Sequence, residues 1–225
     1  MWNLAAPPGF QGLREDKDLK IYIRHLPHWR QEGATYFATF RLGDSLPQSK
    51  LRELADWRKE WEQRHSQPRS AEVWQKFLRE LMKRVEMWLD QGMGSCLLKH
   101  ADASIAVARA MHHFDGQRYQ LAAYIIMPNH VHALVQPLAD EEDSLERILH
   151  SWKRFTARRI NERLGRIGPL WQKESFDRIV RDEEHLYRCV QYIGSNAKKT
   201  GLSPQVCMRW IRPDWAELGW DFADS

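Results

Sequence analysis

Apolar residues along the chain either alternate with polar residues or recur every three to four positions, and each pattern predicts one type of element. Alternation in TYFATFRL, residues 35–42, predicts a strand whose successive side chains lie on opposite faces. Helical spacing between residues 47 and 90, interrupted at Pro68, predicts a helical hairpin. The charges of this hairpin are mixed, so we interpret it as packing or an insertion rather than as chemistry.

Two strands in the middle of the chain form the most distinctive predicted unit. A helix is predicted for residues 101–114, followed by strands at residues 118–127 and 130–137. The turn at Pro128 and Asn129 predicts that the two strands form an antiparallel hairpin. On the second strand, His130 and His132 share a face and stand about 7 Å apart along the strand, which leaves room for a shared ion.

The C-terminal part of the chain predicts two further helices with a short strand, residues 174–180, between them. Ser144 is expected to cap the first helix. Its buried stripe is expected to comprise Leu145, Ile148, Leu149, Trp152, Phe155 and Ile160. Asp182 begins the second helix. Tyr192 and Asn196, four residues apart, lie together at the edge of the apolar arc of that helix, so a hydroxyl and an amide oxygen point in one direction.

Composition places the chain among soluble globular proteins. Of 225 residues, 43% are hydrophobic and 28% are charged, which excludes wholesale disorder. The three cysteines are widely spaced, so neither a disulfide framework nor a cysteine zinc site is expected. No signal-peptide pattern and no long apolar run occurs, so we expect a cytoplasmic protein that does not enter a membrane.

Positive charge is concentrated in the C-terminal half. Residues 145–200 hold 13 Lys and Arg against 7 Asp and Glu, a net charge of +6, although the whole chain carries only +4. This distribution indicates an anionic partner, with nucleic acid first, or a solvated helix surface. The eleven tryptophans fit base stacking or the packing of apolar faces.

The two histidines alone are weak evidence, because ten histidines in 225 residues produce roughly 0.4 His-x-His pairs by chance. Their context is more specific. The segment YIIMPNHVHALV resembles the signature of the HUH single-strand DNA transposases. WQKESFDRIVRDEEHLYRCVQYIGSNAKKTGL resembles the C-terminal block of the REP-associated tyrosine transposases, a single-tyrosine branch of that class, and LPHWRQEGATYFATFRLGDSLP is similar to its N-terminal strand. The resemblance covers roughly residues 25–202.

The resemblance implies a reaction and a set of residues. Tyr192 takes the position of the nucleophile, and His130, His132 and Asn196 take the positions of the metal ligands, with Mg²⁺ or Mn²⁺ as the ion. The implied activity is site-specific cleavage and rejoining of single-stranded DNA near hairpin-forming repeats, through a 5′-phosphotyrosine intermediate. Relatives commonly read Asn-Pro where this chain has Asn196-Ala197.

From the pattern and the resemblance together we expect an α+β domain with a ferredoxin-like antiparallel sheet, the HUH fold. The histidine strand is expected at its centre, with helices on one face. The domain is expected to span residues 25–202, with the helical hairpin 47–90 inserted and tails at 1–24 and 203–225. A monomer is expected, although dimers occur among single-tyrosine relatives. The candidates for a DNA-binding groove are Arg41, Lys153, Arg154, Arg158 and Arg178.

Three other functions stay open at this stage. A domesticated protein that binds DNA hairpins without catalysis would use the same basic surface. A metal nuclease that activates water would cleave DNA without Tyr192. A purely structural histidine pair would give no response to metal.

Overall fold

A five-stranded antiparallel sheet forms the centre of the computed structural model, which describes residues 4–138, 144–202 and 206–223. The strands are β1 (Lys20–Ile23), β2 (Pro27–Arg30), β3 (Tyr36–Arg41), β4 (Tyr119–Ile126), β5 (His130–Pro137), β6 (Phe176–Ile179) and β7 (Met208–Ile211). The helices are α1 (Gln48–Arg64), α2 (Ala71–Leu89), α3 (Ala101–His112), α4 (Leu145–Leu164), α5 (Glu183–Lys199) and α6 (Pro213–Ala216).

The sheet has the order β6-β3-β5-β4-β7, and every neighbouring pair is antiparallel. Strands β3, β4, β5 and β6, with helices between β3 and β4 and between β5 and β6, make the split βαβ arrangement of ferredoxin-like folds. The histidine strand β5 is central. The predicted α+β class, with an antiparallel sheet and packed helices, is therefore confirmed.

Pairing of β3 with β5 decides what surrounds the histidines. Thr39 lies opposite His132, and Phe37 lies opposite Leu134. Because side chains alternate across a sheet, these residues share the histidine face, whereas Tyr36 and its even-numbered neighbours on β3 point the other way. The sequence pattern predicted each face, but not the register that joins them.

Helices cover both faces of the sheet, so the expectation of helices on one face was wrong. Helices α3 and α4 pack against the face that carries Phe40, Val131 and Val135. Helix α5 packs against the histidine face. The reason is that this face is apolar as well: Phe37 and Leu134 are fully buried there and need cover.

The stripe of α4 differs from its prediction at one position. Phe155 is 51% exposed, although it was expected in the core. Thr156 takes the inward position instead, and its hydroxyl donates to the Trp152 carbonyl and accepts from the Trp171 indole nitrogen. A buried hydroxyl with both hydrogen bonds satisfied therefore continues the stripe. Ser144 caps this helix as expected, since its side chain accepts from the backbone of Arg147.

The predicted helical hairpin is formed by α1 and α2, inserted between β3 and α3. Buried aromatic rings hold the two helices together, with Trp57 stacked on Phe77 at a centroid distance of 5.3 Å. The amide of Asn129 donates to the carbonyls of Leu89 and Met93. The turn before the histidine strand thus fixes the C-terminal end of α2 beside the site.

The terminal segments pack onto the histidine side of the molecule. Strand β7 adds a fifth strand to the sheet, next to β4. The indole nitrogens of Trp215 and Trp220 donate to the carbonyls of Pro8 and Ala5. The segment beyond α5 therefore returns to the domain.

A two-stranded ribbon of β1 and β2, which the sequence did not predict, is tied to the sheet by buried charges. Arg30 pairs with Asp177 on β6 and with Glu146 on α4. The imidazole of His28 hydrogen-bonds Asp177 at 2.7 Å.

In the described part of the chain, no helix has the length and apolar character needed to span a bilayer.

Candidate functional site

His130 and His132 are buried between the sheet and α5, with exposed fractions of 1% and 0%. Their rings meet edge to face with 4.7 Å between centroids, and their Nε2 atoms are 3.0 Å apart. Both imidazoles therefore present the same nitrogen to one point, on the shared face that the strand alternation predicted.

The other nitrogen of each imidazole is already engaged. Nδ1 of His130 lies 2.7 Å from the side-chain oxygen of Asn129, which can only accept, so this Nδ1 carries the proton. Nδ1 of His132 lies 2.8 Å from the hydroxyl of Thr39, which can donate or accept. A partner on Nδ1 orients a histidine ring and leaves Nε2 to bind a ligand, as in many metal sites.

Both histidines are neutral at pH 7. Burial, and to a smaller extent the charge of Lys199, lowers the pKa of His130 to about 3. Burial also lowers the pKa of His132 far below its ordinary value, and His130, Arg178 and Lys199 act in the same direction. With the proton of His130 on Nδ1, the 3.0 Å contact is a hydrogen bond from Nε2–H of His132 to Nε2 of His130. His132 frees its own Nε2 when its proton moves to Nδ1, where the Thr39 hydroxyl can accept it.

Tyr192 on α5 lies directly over the histidines. Its ring stands edge-on to His132 with 5.1 Å between centroids, and edge-on to Phe37 at 5.8 Å. Its hydroxyl is buried and has no hydrogen-bond partner among the described residues. Burial raises the pKa of Tyr192 well above its usual range, and the carboxylates of Glu86 and Asp90 raise it further.

Asn196 lies one helical turn after Tyr192 and is 1% exposed. Neither the oxygen nor the nitrogen of its side-chain amide has a hydrogen-bond partner within the described chain. A buried amide without partners costs free energy, roughly 1–3 kcal/mol per unsatisfied group. An unsatisfied carbonyl oxygen one helical turn after Tyr192, whose ring contacts His132, fits a third ligand to a cation.

These residues fit a divalent metal ion. Two nitrogens bound at about 2.1 Å and at right angles around one ion lie about 3.0 Å apart, which matches the separation of the two Nε2 atoms. Within the described residues, no cluster of three or more His, Cys, Asp or Glu could hold a metal. The set of His130, His132 and Asn196 therefore depends on an amide ligand, which suits Mg²⁺ or Mn²⁺ rather than a closed zinc site.

The C-terminal end of α2 forms a second wall of the site, which sequence reasoning missed. Asp90, the C-cap of α2, pairs with Lys199 of α5 at 2.7 Å. The Lys199 ammonium lies 5.6 Å from the centre of the Tyr192 ring. The carboxylate of Glu86, one turn before Asp90, helps to raise the pKa of Tyr192. The spacing of Glu86 and Asp90 was visible in the sequence, but not their contact with α5.

The candidate DNA-binding residues lie in different places. Arg178 is exposed on the edge strand β6, on the histidine face, with its guanidinium 4.8 Å from the centre of the Phe37 ring. Arg41 is buried and donates to the Ser45 hydroxyl, so it belongs to no exposed surface. Burial lowers its pKa to about 10. Of these two, only Arg178 is available to a ligand at the site.

The three candidates on α4 lie on the other layer of the fold. Lys153 donates to the carbonyls of Gln172 and Lys173, and burial lowers its pKa to about 8. Arg154 and Arg158 are exposed. The structure therefore does not bring the basic residues of α4 together with Arg178 in one groove beside the histidines.

No protein-family model matches the chain, and no curated protein matches it in sequence. Among solved structures, the chain is similar to one described as a "REP associates tyrosine transposase bound to a REP hairpin". The two chains share 16% sequence identity, and the match covers 82% of this chain and 76% of that one with a TM-score of 0.43. A likeness this distant carries no argument about activity, which has to rest on the site itself.

Proposed function

We propose that the protein is a REP-associated tyrosine transposase of the HUH class, a metal-dependent enzyme that cleaves and rejoins single-stranded DNA through Tyr192. The single observation that carries this proposal is the contact of Tyr192 with a buried pair of histidines. The two imidazoles meet at Nε2, and the Tyr192 ring stands against His132. The Asn196 amide, buried one helical turn after Tyr192, has no hydrogen-bond partner among the described residues.

In this function His130, His132 and Asn196 would hold Mg²⁺ or Mn²⁺. The bound ion would supply Lewis acidity toward the scissile phosphate. Asn129 and Thr39 keep the two imidazoles oriented with Nε2 inward.

The tyrosine performs the covalent step. The Tyr192 oxygen attacks phosphorus, its bond to phosphorus forms, and the bond from phosphorus to the 3′ oxygen breaks. The products are a 5′-phosphotyrosine link and a free 3′-hydroxyl. Because the phosphotyrosine conserves the energy of the broken bond, a 3′-hydroxyl from the same or another strand can reverse the step and join DNA. No nucleotide cofactor is needed.

Single-stranded DNA beside a hairpin suits the surroundings of the site. Unpaired bases can stack on aromatic or guanidinium planes, and phosphates pair with arginine. Arg178, on the edge strand next to Phe37, is the exposed cation that we assign to the strand entering the site. Arg154 and Arg158 are assigned to the flanking duplex, on the other layer of the fold.

A denaturing gel tests the function. The protein is mixed with labelled single-stranded hairpin DNA from its own genomic flanks, with Mn²⁺, Mg²⁺ or chelator. We expect a covalent protein–DNA band that needs the metal and disappears in Tyr192→Phe. Tyr187→Phe, on the same helix with its ring against Trp220, is the matched control and should retain the band.

Other outcomes identify the competing functions. Adduct in Tyr192→Phe would mean that another tyrosine is the nucleophile. Cleavage without adduct that survives the loss of Tyr192 would indicate a nuclease that activates water. Shifted but uncut complexes for every flanking hairpin, with a strong dependence on salt, would indicate a protein that only binds hairpins.

A further inference from the structure

Strand β1 has one edge that no described strand occupies. It pairs only with β2, in a ribbon of two strands. The register places Ile23 opposite Pro27, which has no N–H to donate, and the Arg24 amide donates to the Leu26 carbonyl. Because backbone groups alternate in direction along a strand, the even-numbered residues of β1 direct their N–H and C=O toward β2. Ile21 and Ile23 therefore direct theirs toward the open edge.

The odd-numbered positions also carry a row of exposed apolar side chains. Leu19, directly before β1, and Ile21 and Ile23 within it are between 42% and 53% exposed. Since side chains alternate across a strand, the two isoleucines share one face of the ribbon, and the spacing of Leu19 continues their row. Tyr22 lies on the other face and stacks on His28. An open strand edge lined by apolar side chains is a typical site of pairing with another strand.

The ribbon is held in place without any partner. Arg30 on β2 pairs with Asp177 on β6 and with Glu146 on α4. The Tyr22 hydroxyl of β1 donates to the same Glu146 carboxylate. Both strands are thus attached to the rest of the domain. An edge that is already ordered can pair with a second strand at a small cost in conformational entropy.

The sequence around the open edge is complementary to itself in one antiparallel register. When Ile21 of one copy lies opposite Ile21 of another, Leu19 lies opposite Ile23 and the apolar rows meet. Asp18 then lies opposite Arg24, so a carboxylate meets a guanidinium at each end of the paired segment. Both of these charged side chains are exposed, and neither forms a salt bridge among the described residues.

Neighbouring registers lack this complementarity. A shift of two residues in one direction sets Lys20 opposite Lys20 of the other copy, and a shift in the other direction sets it opposite Arg24. Like charges directly opposite each other destabilise a strand pair. The charges therefore favour the register that is centred on Ile21.

We propose that two copies of the protein associate through β1, in an antiparallel pair centred on Ile21 and related by a two-fold axis. The two ribbons then form one sheet of four strands, in which the open edges satisfy each other's N–H and C=O groups. The pairing needs neither DNA nor metal, so it stands apart from the function proposed above. It differs from the monomer expected from the sequence. Because a short strand pair is a small interface, we expect a reversible dimer whose fraction depends on concentration.

Sedimentation equilibrium of the full chain, from about 10 μM to about 1 mM, tests the association. The dimer fraction should rise over this range. Ile21→Lys sets two like charges opposite each other on the axis and should raise the dissociation constant at least about tenfold. Leu13→Lys, at an exposed leucine outside β1, is the matched control and should associate as wild type does. Both positions are exposed, so both variants should keep the melting temperature of the wild type.

Exchange of the end charges tests the register. Asp18→Arg or Arg24→Asp alone sets like charges opposite each other and should weaken association, whereas the double variant restores opposite charges and should recover it.

A cysteine on the axis tests the same register. Ile21→Cys should form a disulfide-linked dimer on mild oxidation, because directly opposite Cα atoms of a hydrogen-bonded pair are about 5.5 Å apart. Ile23→Cys faces position 19 instead and should stay unlinked, as should wild type with its three free cysteines.

Three results would overturn the proposal. A monomer at every concentration would leave the open edge to an extended segment of a different protein. A dimer that Ile21→Lys leaves unchanged would show that the copies meet at another surface. A double charge variant that does not recover association, together with an Ile21→Cys variant that does not link, would exclude the antiparallel pair centred on Ile21.

Discussion

The ring of Tyr192 stands edge-on against the imidazole of His132, with 5.1 Å between the ring centroids. Phe37 stacks on the same imidazole at 5.4 Å and meets the tyrosine edge-on. Three elements distant in sequence thus contribute one ring each to a single aromatic cluster. Because such contacts fix ring orientation, the direction of the Tyr192 hydroxyl is set by packing before any ligand binds.

Loss of either histidine should abolish tight binding of Mn²⁺. His130→Ala or His132→Ala removes one of two nitrogens that meet at 3.0 Å, and we expect at least about a tenfold loss of affinity. Isothermal titration with Mn²⁺ alone measures this loss without any need for DNA cleavage. His150→Ala, at an exposed position on α4, should bind as wild type does. Equal affinity in all four proteins would exclude a metal site at the histidine pair.

Thr39 should influence metal affinity without touching the ion. Its hydroxyl is the partner of His132 Nδ1 at 2.8 Å, and loss of such a partner typically weakens metal binding about 10–100-fold. We therefore expect Thr39→Val to bind Mn²⁺ correspondingly more weakly, although its shape is nearly unchanged. Thr39→Ser keeps the hydroxyl and should retain most of the affinity. If Thr39→Val and Thr39→Ser bind Mn²⁺ equally well, the Thr39 hydroxyl does not orient His132.

The sequence predicted the local parts of the site more completely than its assembly. Alternation along β5 correctly placed His130 and His132 on one face, and helical spacing brought Tyr192 and Asn196 to one edge of α5. The pairing of Thr39 with His132 joins strands about 90 residues apart, and no local pattern encodes that register.

The contribution of the inserted hairpin was missed for a related reason. The charges of α2 are mixed along its length, so nothing local distinguishes Asp90 from a solvated carboxylate. Asp90 pairs with Lys199 of α5, and Asn129 anchors the end of α2 beside the histidine strand. The short strands β1, β2 and β7 were also missed, because four residues carry little alternating pattern. Strand β6 has the same length but was predicted within a longer segment, residues 174–180.

Stability should fall as the pH drops below neutrality, because His130 is buried in its neutral form. In the unfolded chain His130 binds a proton near pH 6.5, whereas its pKa in the folded protein is about 3. The unfolded state therefore binds more protons between these values. The contribution of His130 to stability is complete above pH 6.5 and is lost as the pH falls toward 3.

Between pH 7.5 and pH 5 this loss amounts to about 2 kcal/mol for His130. Urea unfolding at pH 7.5, 6.5 and 5.0 measures it. His130→Gln should show a weaker pH dependence than wild type, whereas His150→Gln should show the same dependence. Parallel curves for wild type and His130→Gln would mean that His130 titrates normally in the folded protein.

We expect glycine to be required at position 194, in the middle of α5, because the C-terminal segment packs closely against it. A Cβ at this position would lie 2.9 Å from Cβ and Cδ1 of Phe222, closer than such atoms normally approach. Alanine stabilises a helix interior by about 1 kcal/mol relative to glycine, but overpacking of this kind costs about 1–3 kcal/mol. We therefore expect Gly194→Ala to lower the free energy of unfolding by about 1 kcal/mol.

The two effects can be separated by removing the obstructing ring. In a Phe222→Gly background both Cβ and the ring of residue 222 are gone, so Gly194→Ala should become neutral or stabilising. Chemical denaturation of the four proteins in this double-mutant cycle gives the coupling between the two positions directly. Additive effects would show that Phe222 does not restrict position 194. A large coupling would instead show that the segment after β7 holds the helix that carries both Tyr192 and Asn196.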